Sequence, residues 1–405
     1  MASLPNYRKT FRLWWQKPLP TEQMHDEREV TFLELFYDLV YVVILAEIAH
    51  YLGHHLSWAG LGEFLFMGVF VMWAWMNGMF YHSLHGTNDI SMRVFTFTQM
   101  LLMGAMTVFI TDMFSGGADG FAITFGLFQL FFAALWFRTG YHDPAHRAAS
   151  TPFSVVYVLS AVAMFATVGM DAPTNQYIWA VVVFGSMLMP LITYLSGRAR
   201  EQAIEASRLS LDSIERFGLI TIVALGEVIV SAINGVNYLD EFNLRNGLIG
   251  GLGILIAVGI WWLYFDFLSR RTTKEGFWNN QMFSYLHIPL VLGIAASGAI
   301  LREMVVHNDV ALDSVTRWLF VGSVAASVSI VAVLLQVVQQ TDRSIEDLTH
   351  MASKVTLLCA AAILGVGLLS TGYIATLSLV LALLLLPVLY AVSTWIRRQS
   401  RTSRQ

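Results

Sequence analysis

The sequence predicts an all-α membrane protein with about twelve membrane-spanning helices, arranged as two parallel six-helix repeats. First, 56% of its 405 residues are hydrophobic and only 13% are charged, whereas soluble domains carry about 25% charged residues. Second, its apolar runs reach about 20 residues, which matches a bilayer core of about 30 Å. Third, an apolar helix with a central glutamate occurs twice, at Glu47 and at Glu227. These observations exclude an ordinary soluble domain.

Twelve stretches have the length and apolarity of membrane spans. They lie near residues 31–52, 60–83, 94–114, 119–138, 151–171, 176–196, 213–234, 246–268, 281–301, 315–338, 351–371 and 374–395. The residues before the first span are too charged for the short apolar core of a cleavable signal peptide. We therefore expect every apolar stretch to remain in the mature protein.

The loop charges predict the direction of these spans. With twelve spans, most Lys and Arg residues fall on one side of the membrane. Only Arg245, Arg302 and Arg317 fall in loops on the other side. Cytoplasmic loops carry the excess of basic residues. Both termini are therefore expected in the cytoplasm.

An even number of spans in each half makes the two halves parallel repeats, related by an axis along the membrane normal. The predicted domains are an amphipathic cytoplasmic segment 1–30, repeat 31–197, connector 198–211, repeat 212–396 and a basic tail 397–405. Aromatic and basic residues alternate in the first segment, which is typical of an interfacial helix on an anionic inner leaflet. Membrane lipids are thus the expected partners, no nucleic acid is expected, and a homodimer is left open.

The first span begins with two carboxylates, Glu34 and Asp38, on one helix face. Two acids this close in a low dielectric repel each other, so one needs a raised pKa or a cationic partner. Arg28 is the nearby cation. The alternatives are an ion-binding site and an ion-pair network that locks the inner ends of the helices.

Glu47 lies further along the same helix, and His50 and His54 follow it at i+3 and i+7. A glutamate beside a histidine in a partly buried site can relay protons near neutral pH. Alternatively, the glutamate is neutralised by burial and hydrogen-bonded to a neighbouring helix. Both readings expect Glu47 to be buried.

The second repeat carries the equivalent acid, Glu227, and a charged inner end. Ionisable groups in spans are costly and mark functional sites or ion pairs. The expected substrate- or ion-binding residues are Glu47, Glu227, His50, Asp38, Glu34, Gln99 and His287. The expected structural ion pairs involve Arg28, Glu215, Arg216 and Asp266.

Enzyme signatures are missing from the sequence. It has no Walker A motif, no Gly-x-Ser-x-Gly elbow and no His-Glu-x-x-His motif. No Cys/His cluster has the spacing of a zinc or iron–sulfur site, and the single Cys359 lies in an apolar run. We expect no enzymatic activity, no cofactor and no metal site.

The chain resembles the bacterial low temperature requirement A family over essentially its whole length. The resemblance rests on the motifs REVTFLELFYDLVYV at 28–42 and ERFGLITIVALGEVI at 215–229. It implies a multi-pass protein of the bacterial inner membrane and supplies no biochemical activity. A weaker likeness is to a potassium-channel family of two six-helix repeats with an Arg…Phe-Ser-Asp motif, but this chain has Phe36-Tyr-Asp38 instead.

These observations leave several functions open. The leading hypothesis is a transport protein for protons, cations or a small solute that uses the acids of the two equivalent helices. The alternatives are a non-transporting stress sensor or scaffold with structural acids, and a cation channel related to the potassium-channel family. An intramembrane enzyme acting on lipid lacks a recognisable nucleophile.

Overall fold

The computed structural model describes residues 16–18, 30–87, 89–144, 147–197, 200–238, 243–268, 271–307, 311–339 and 343–402. Fourteen α-helices and no β-strand occur in these ranges. The helices are α1 Phe32–His54, α2 Trp58–His85, α3 Ile90–Ile110, α4 Ala118–His142, α5 Arg147–Ala166, α6 Thr174–Met187, α7 Met189–Leu195, α8 Arg200–Ser207, α9 Leu211–Asn237, α10 Leu244–Phe267, α11 Phe277–Val306, α12 Ser314–Val337, α13 Arg343–Val366 and α14 Tyr373–Thr402.

The all-helical class is confirmed, and so is a chain with many spans. In the described part of the chain, nine helices are long and apolar enough to cross a bilayer: α2, α3, α4, α5, α9, α10, α11, α12 and α14. Helix α1 is not among these nine, nor is α13, whose apolar part, Met351–Val366, is short. The count of twelve spans and the two repeats stay predictions.

The predicted sixth span is broken. Helices α6 and α7 meet at an angle of 47°, and Pro190 lies in the first turn of α7. Proline has no backbone N–H and its ring clashes with the preceding turn, so it commonly kinks or breaks a helix. One bent span, or a helix that turns back, replaces the straight span expected at 176–196.

Large apolar side chains cover much of the outer surface. Leu101, Val181 and Leu368 are 75%, 73% and 77% exposed. Water-soluble proteins rarely expose extended apolar patches. These side chains therefore face lipid, as expected of a multi-pass membrane protein.

The chain divides into two compact units. The first contains Met1–Ile44 and Val69–Ser213, and the second contains Leu45–Gly68 and Ile214–Gln405. In the first unit α4 packs along α5, and in the second α12 packs between α11 and α13. The domain boundaries expected from the sequence stay predictions.

The start of α3 is fixed by Asp89 in the first unit. Its carboxylate accepts hydrogen bonds from the backbone N–H groups of Ser91 and Met92, and from that of Gln16 at 2.7 Å. Thr87 and Ser91 donate their hydroxyls to it as well. Such an N-cap satisfies N–H groups that have no partner within the helix.

The pKa of Asp89 should make this cap sensitive to acid. Burial raises the pKa of this carboxyl, but the hydrogen bonds from Thr87, Gln16, Ser91 and Met92 outweigh burial, so the pKa lies below its usual value. The ionised form therefore stabilises the folded state above the unfolded pKa of about 3.9, and this stabilisation is lost as the pH falls through the folded pKa.

We therefore expect the Asp89→Asn protein to melt at a lower temperature than wild type at pH 7, and the difference to shrink as the pH falls towards 3. Asparagine is also a good N-cap but carries no charge. Asp89→Ala should lower stability by about 0.5–2 kcal/mol at neutral pH. A difference between wild type and Asp89→Asn that stays constant with pH would refute the role of the ionised cap.

Candidate functional site

A cavity of about 350 Å³ lies in the second unit. Its walls come from the C-terminal parts of three helices, α1, α9 and α11. It combines a carboxylate, an imidazole, a guanidinium and two amides with small side chains. This is the polar, concave type of site in which small ligands and ions bind.

Helix α9 contributes a polar stripe to the cavity. Glu227, Ser231, Asn234 and Tyr238 follow each other at i, i+4, i+7 and i+11 and all line it. Residues at these spacings share one face of a helix. Between Glu227 and Val236 the other residues of α9 are apolar, so the stripe is a local polar surface on this part of the helix.

One glycine brings two of these helices close. A Cβ on Gly298 of α11 would lie only 2.9 Å from Val228 Cα of α9. Because glycine has no Cβ, α11 can approach α9 this closely. A Cβ on Gly53 of α1 would lie 3.7 Å from the Ala299 carbonyl oxygen of α11, which is an ordinary contact distance.

Among the residues that the structure describes, Glu227 is the only acid that lines the cavity. Its side chain is partly buried, and Ser231 Oγ donates a hydrogen bond to Glu227 Oε1 at 3.1 Å. The serine orients one carboxylate oxygen. The carboxylate as a whole can accept hydrogen bonds from a ligand or coordinate a cation.

The opposite wall carries Arg302, which forms an ion pair with Glu303 on the same helix. Glu303 Oε2 also lies 3.2 Å from His307 Nδ1. The guanidinium of Arg302 lies over the Tyr238 ring, 5.6 Å from its centroid. A cation–π contact of this kind and the ion pair hold Arg302 in place at the cavity.

His50 lines the cavity from α1, and its Nε2 lies 3.0 Å from Nε2 of His54. The structure therefore brings together two of the residues singled out in the sequence, Glu227 and His50. They stand on two different helices of the same unit. Glu47 does not line the cavity and is exposed on the surface of the chain, so the expectation that it is buried is wrong.

The acids at the start of α1 have structural partners in the first unit. Glu34 accepts hydrogen bonds from the Thr31 backbone N–H at 2.9 Å and from its hydroxyl at 2.8 Å, and Thr31 Oγ1 accepts from the Glu34 N–H. This is a capping box. The Trp75 indole N–H donates to Asp38 Oδ1 at 2.8 Å. Both carboxylates are buried.

Gln99 is fully buried in α3 of the first unit. In the described part of the chain, neither atom of its side-chain amide has a hydrogen-bond partner. It faces Gly78, since a Cβ there would lie 2.7 Å from Gln99 Oε1. Gln99 belongs to the first unit and is not among the residues that line the cavity.

His287 is buried in α11, with both ring nitrogens engaged. Nδ1 lies 2.6 Å from the Phe283 carbonyl oxygen and Nε2 lies 2.8 Å from the Tyr264 hydroxyl. Because a carbonyl only accepts, Nδ1 donates, and the neutral ring then accepts from Tyr264 through Nε2. No nitrogen is left for an ion, so this geometry favours a structural role.

The charged residues expected to form structural ion pairs differ in burial. Arg216 is fully buried in α9, while Glu215 and Asp266 are exposed. Arg28 lies outside the described residues. The pairing among these residues stays a prediction.

Sequence reasoning missed Ser231, Asn234 and Arg302 as residues of one site. A signal was present for the first two, because they follow Glu227 at i+4 and i+7 in an apolar helix. Arg302 was visible only as a basic residue on the side poor in positive charge. Nothing in the sequence placed it opposite Glu227.

Comparison with known proteins agrees with the motifs. The family model described as bacterial low temperature requirement A protein (LtrA) matches residues 29–388. An uncharacterised protein of Rhizobium meliloti (strain 1021) is 26% identical over 284 residues, which cover 66% of this chain and 68% of the relative. No solved structure matches. The chain is a multi-pass membrane protein that belongs to the bacterial low temperature requirement A family.

Proposed function

We propose that this protein moves a proton, a cation or a small polar solute across the bacterial inner membrane, and that Glu227 binds it in the cavity of the second unit. One observation carries the proposal: a partly buried carboxylate opens into a polar cavity formed by membrane helices. Ionisable groups in such positions are costly and typically mark transport pathways.

The proposal includes the finer architecture of the chain. Twelve spans in two parallel repeats, with both termini in the cytoplasm, would place the cavity at the outer ends of α1, α9 and α11. A solute would then reach Glu227 from outside through the polar residues Asn237 and Tyr238. The distribution of Lys and Arg supports this orientation.

Flux measurements on purified protein in proteoliposomes, with pH- and potassium-sensitive dyes, test the proposal. Glu227→Gln keeps the size of the side chain and removes its charge, so we expect a folded protein that has lost its flux. Glu47→Gln is the matched control because Glu47 occupies the corresponding sequence motif but lies outside the cavity. Undiminished flux in correctly inserted Glu227→Gln protein would count against the proposal.

A second candidate is a membrane sensor or scaffold that transports nothing. Asp38 accepts a hydrogen bond from the Trp75 indole, and Asp212 accepts one from the Ser83 hydroxyl at 3.2 Å. These bonds join different segments of the first unit, so they favour a structural role for acids in this protein. Thermal melting separates the two functions. A structural Glu227 predicts a large loss of stability in Glu227→Gln, whereas a transport acid predicts a stable but inactive protein.

A further inference from the structure

His50 and His54 lie one turn apart at the C-terminal end of α1. Their rings are nearly perpendicular, at 83°, with centroids 4.5 Å apart, and their Nε2 atoms are 3.0 Å apart. Both side chains are exposed. A single proton between the two nitrogens accounts for this contact, and a metal ion bound to both nitrogens would lie about 1.4 Å to one side of the line that joins them.

The distance between the nitrogens fits a metal ion. Imidazole nitrogens bind first-row metals at about 2.0–2.1 Å. Two nitrogens at this distance are about 2.8–3.0 Å apart when they subtend a right angle at the metal, and about 3.3–3.4 Å apart in a tetrahedron. The observed 3.0 Å matches the right angle of a tetragonal site.

We propose that His50 and His54 bind a divalent late transition metal ion, of the class of Cu²⁺ or Ni²⁺, through their Nε2 atoms. Imidazole is a preferred ligand of these ions, and a tetragonal arrangement of nitrogen and oxygen ligands is typical of both. The spacing of Cys and His in the sequence gave no such expectation, because the pair consists of two histidines within one helix.

Charges of both signs surround His50. Glu47 and Glu303 attract a cation there, whereas Arg302 and, when protonated, His54 repel it. The charge of Arg302 is partly offset by its ion pair with Glu303. Because these charges partly cancel, the two neighbouring imidazole nitrogens are what would hold the metal ion.

The site would use only two protein ligands. The described residues include no group of three or more His, Cys, Asp or Glu side chains that could hold a metal. Water or a solute in the adjoining cavity would occupy the other positions, since His50 also lines that cavity. A metal ion in such an open site exchanges readily with ions in solution. The metal site does not depend on the proposed transport function, because metal binding is measured without any flux.

Electron paramagnetic resonance of the full-length protein in detergent, with one equivalent of Cu²⁺, tests the site by counting coordinated nitrogens. We expect two imidazole nitrogens in wild type, and loss of that two-nitrogen signal in both His50→Ala and His54→Ala. His55→Ala is the matched control: His55 is adjacent and exposed, but its Nδ1 contacts the Tyr51 carbonyl oxygen at 2.9 Å. It should keep the wild-type spectrum.

The wild-type spectrum alone shows whether two nitrogens coordinate Cu²⁺, even if a variant misfolds. Fewer than two coordinated nitrogens in wild type would overturn the proposal, as would a two-nitrogen signal that survives in folded His54→Ala protein. Ni²⁺ gives an independent readout, because a ligand that binds only the folded state raises the melting temperature. Ni²⁺ should raise it in wild type and in His55→Ala, and equal shifts in His54→Ala would also overturn the site.

Discussion

Replacing Gly298 with alanine is expected to destabilise the second unit by about 1–3 kcal/mol, as overpacked cores are, and to abolish any flux through the cavity. The new Cβ would lie 2.9 Å from Val228 Cα and 3.2 Å from Val228 N. These are backbone atoms of α9, so the contact is relieved only if one helix moves. Val228 follows Glu227 directly, and Gly298 precedes Ala299 of the cavity wall.

Gly251→Ala in α10 is the control for this substitution. Nothing lies within 4 Å of a Cβ at Gly251, and alanine is favoured over glycine in a helix interior by about 0.8–1.0 kcal/mol. The control should melt at the wild-type temperature or above it. Melting curves of both variants in detergent, with flux from the same preparations, test the prediction. A Gly298→Ala protein as stable as the control would show that α9 and α11 are further apart than described.

Replacing Gly78 with alanine is expected to have a similar effect on the first unit. The new methyl group would overlap the Tyr37 hydroxyl and lie 2.5 Å from Tyr37 Cζ and 2.7 Å from Gln99 Oε1. Tyr37 is fully buried, and its hydroxyl is hydrogen-bonded to that of Tyr41 at 2.8 Å. The ring has no free space, so we expect a loss of about 1–3 kcal/mol or more.

The clash at Gly78 can be checked with a second change at Tyr37. Tyr37→Phe removes the overlapping hydroxyl, and alone it should lower stability by about 1 kcal/mol through the lost hydrogen bond. In the double variant, the added cost of Gly78→Ala should be smaller than in the wild-type background, which is the signature of coupled residues. Strictly additive melting shifts would contradict the described contact.

The sequence is sufficient to predict the fold class. It is insufficient to predict how each helix is rotated about its own axis, and so which of its faces meets a neighbour. Apolar length alone places helices such as α10 and α12. Which face of a membrane helix meets a neighbour is harder to predict, because lipid and protein neighbours are equally apolar. Glu47 and Glu227 illustrate this point: their local motifs are alike, yet Glu47 is exposed and Glu227 lines a cavity.

Contacts between distant segments account for the rest of what the sequence did not reveal. Glu34 and Asp38, expected to repel each other, accept hydrogen bonds from different partners, a capping Thr31 and the Trp75 indole. The second partner lies on another helix, so no local pattern predicts it. The break before Pro190 was visible as a proline, but prolines also occur within continuous helices, as Pro289 does in α11.

The most direct test of the central claim is to block the cavity and measure flux. In a Cys359→Ser background, Asn234→Cys places one thiol on the exposed part of the α9 stripe, where a bulky maleimide would fill the cavity. Complete labelling should reduce flux to the level of empty liposomes, while the parent protein without cysteine should keep its flux after the same treatment. Undiminished flux in fully labelled protein, or no flux of protons, cations or small solutes from folded wild type, would contradict the account.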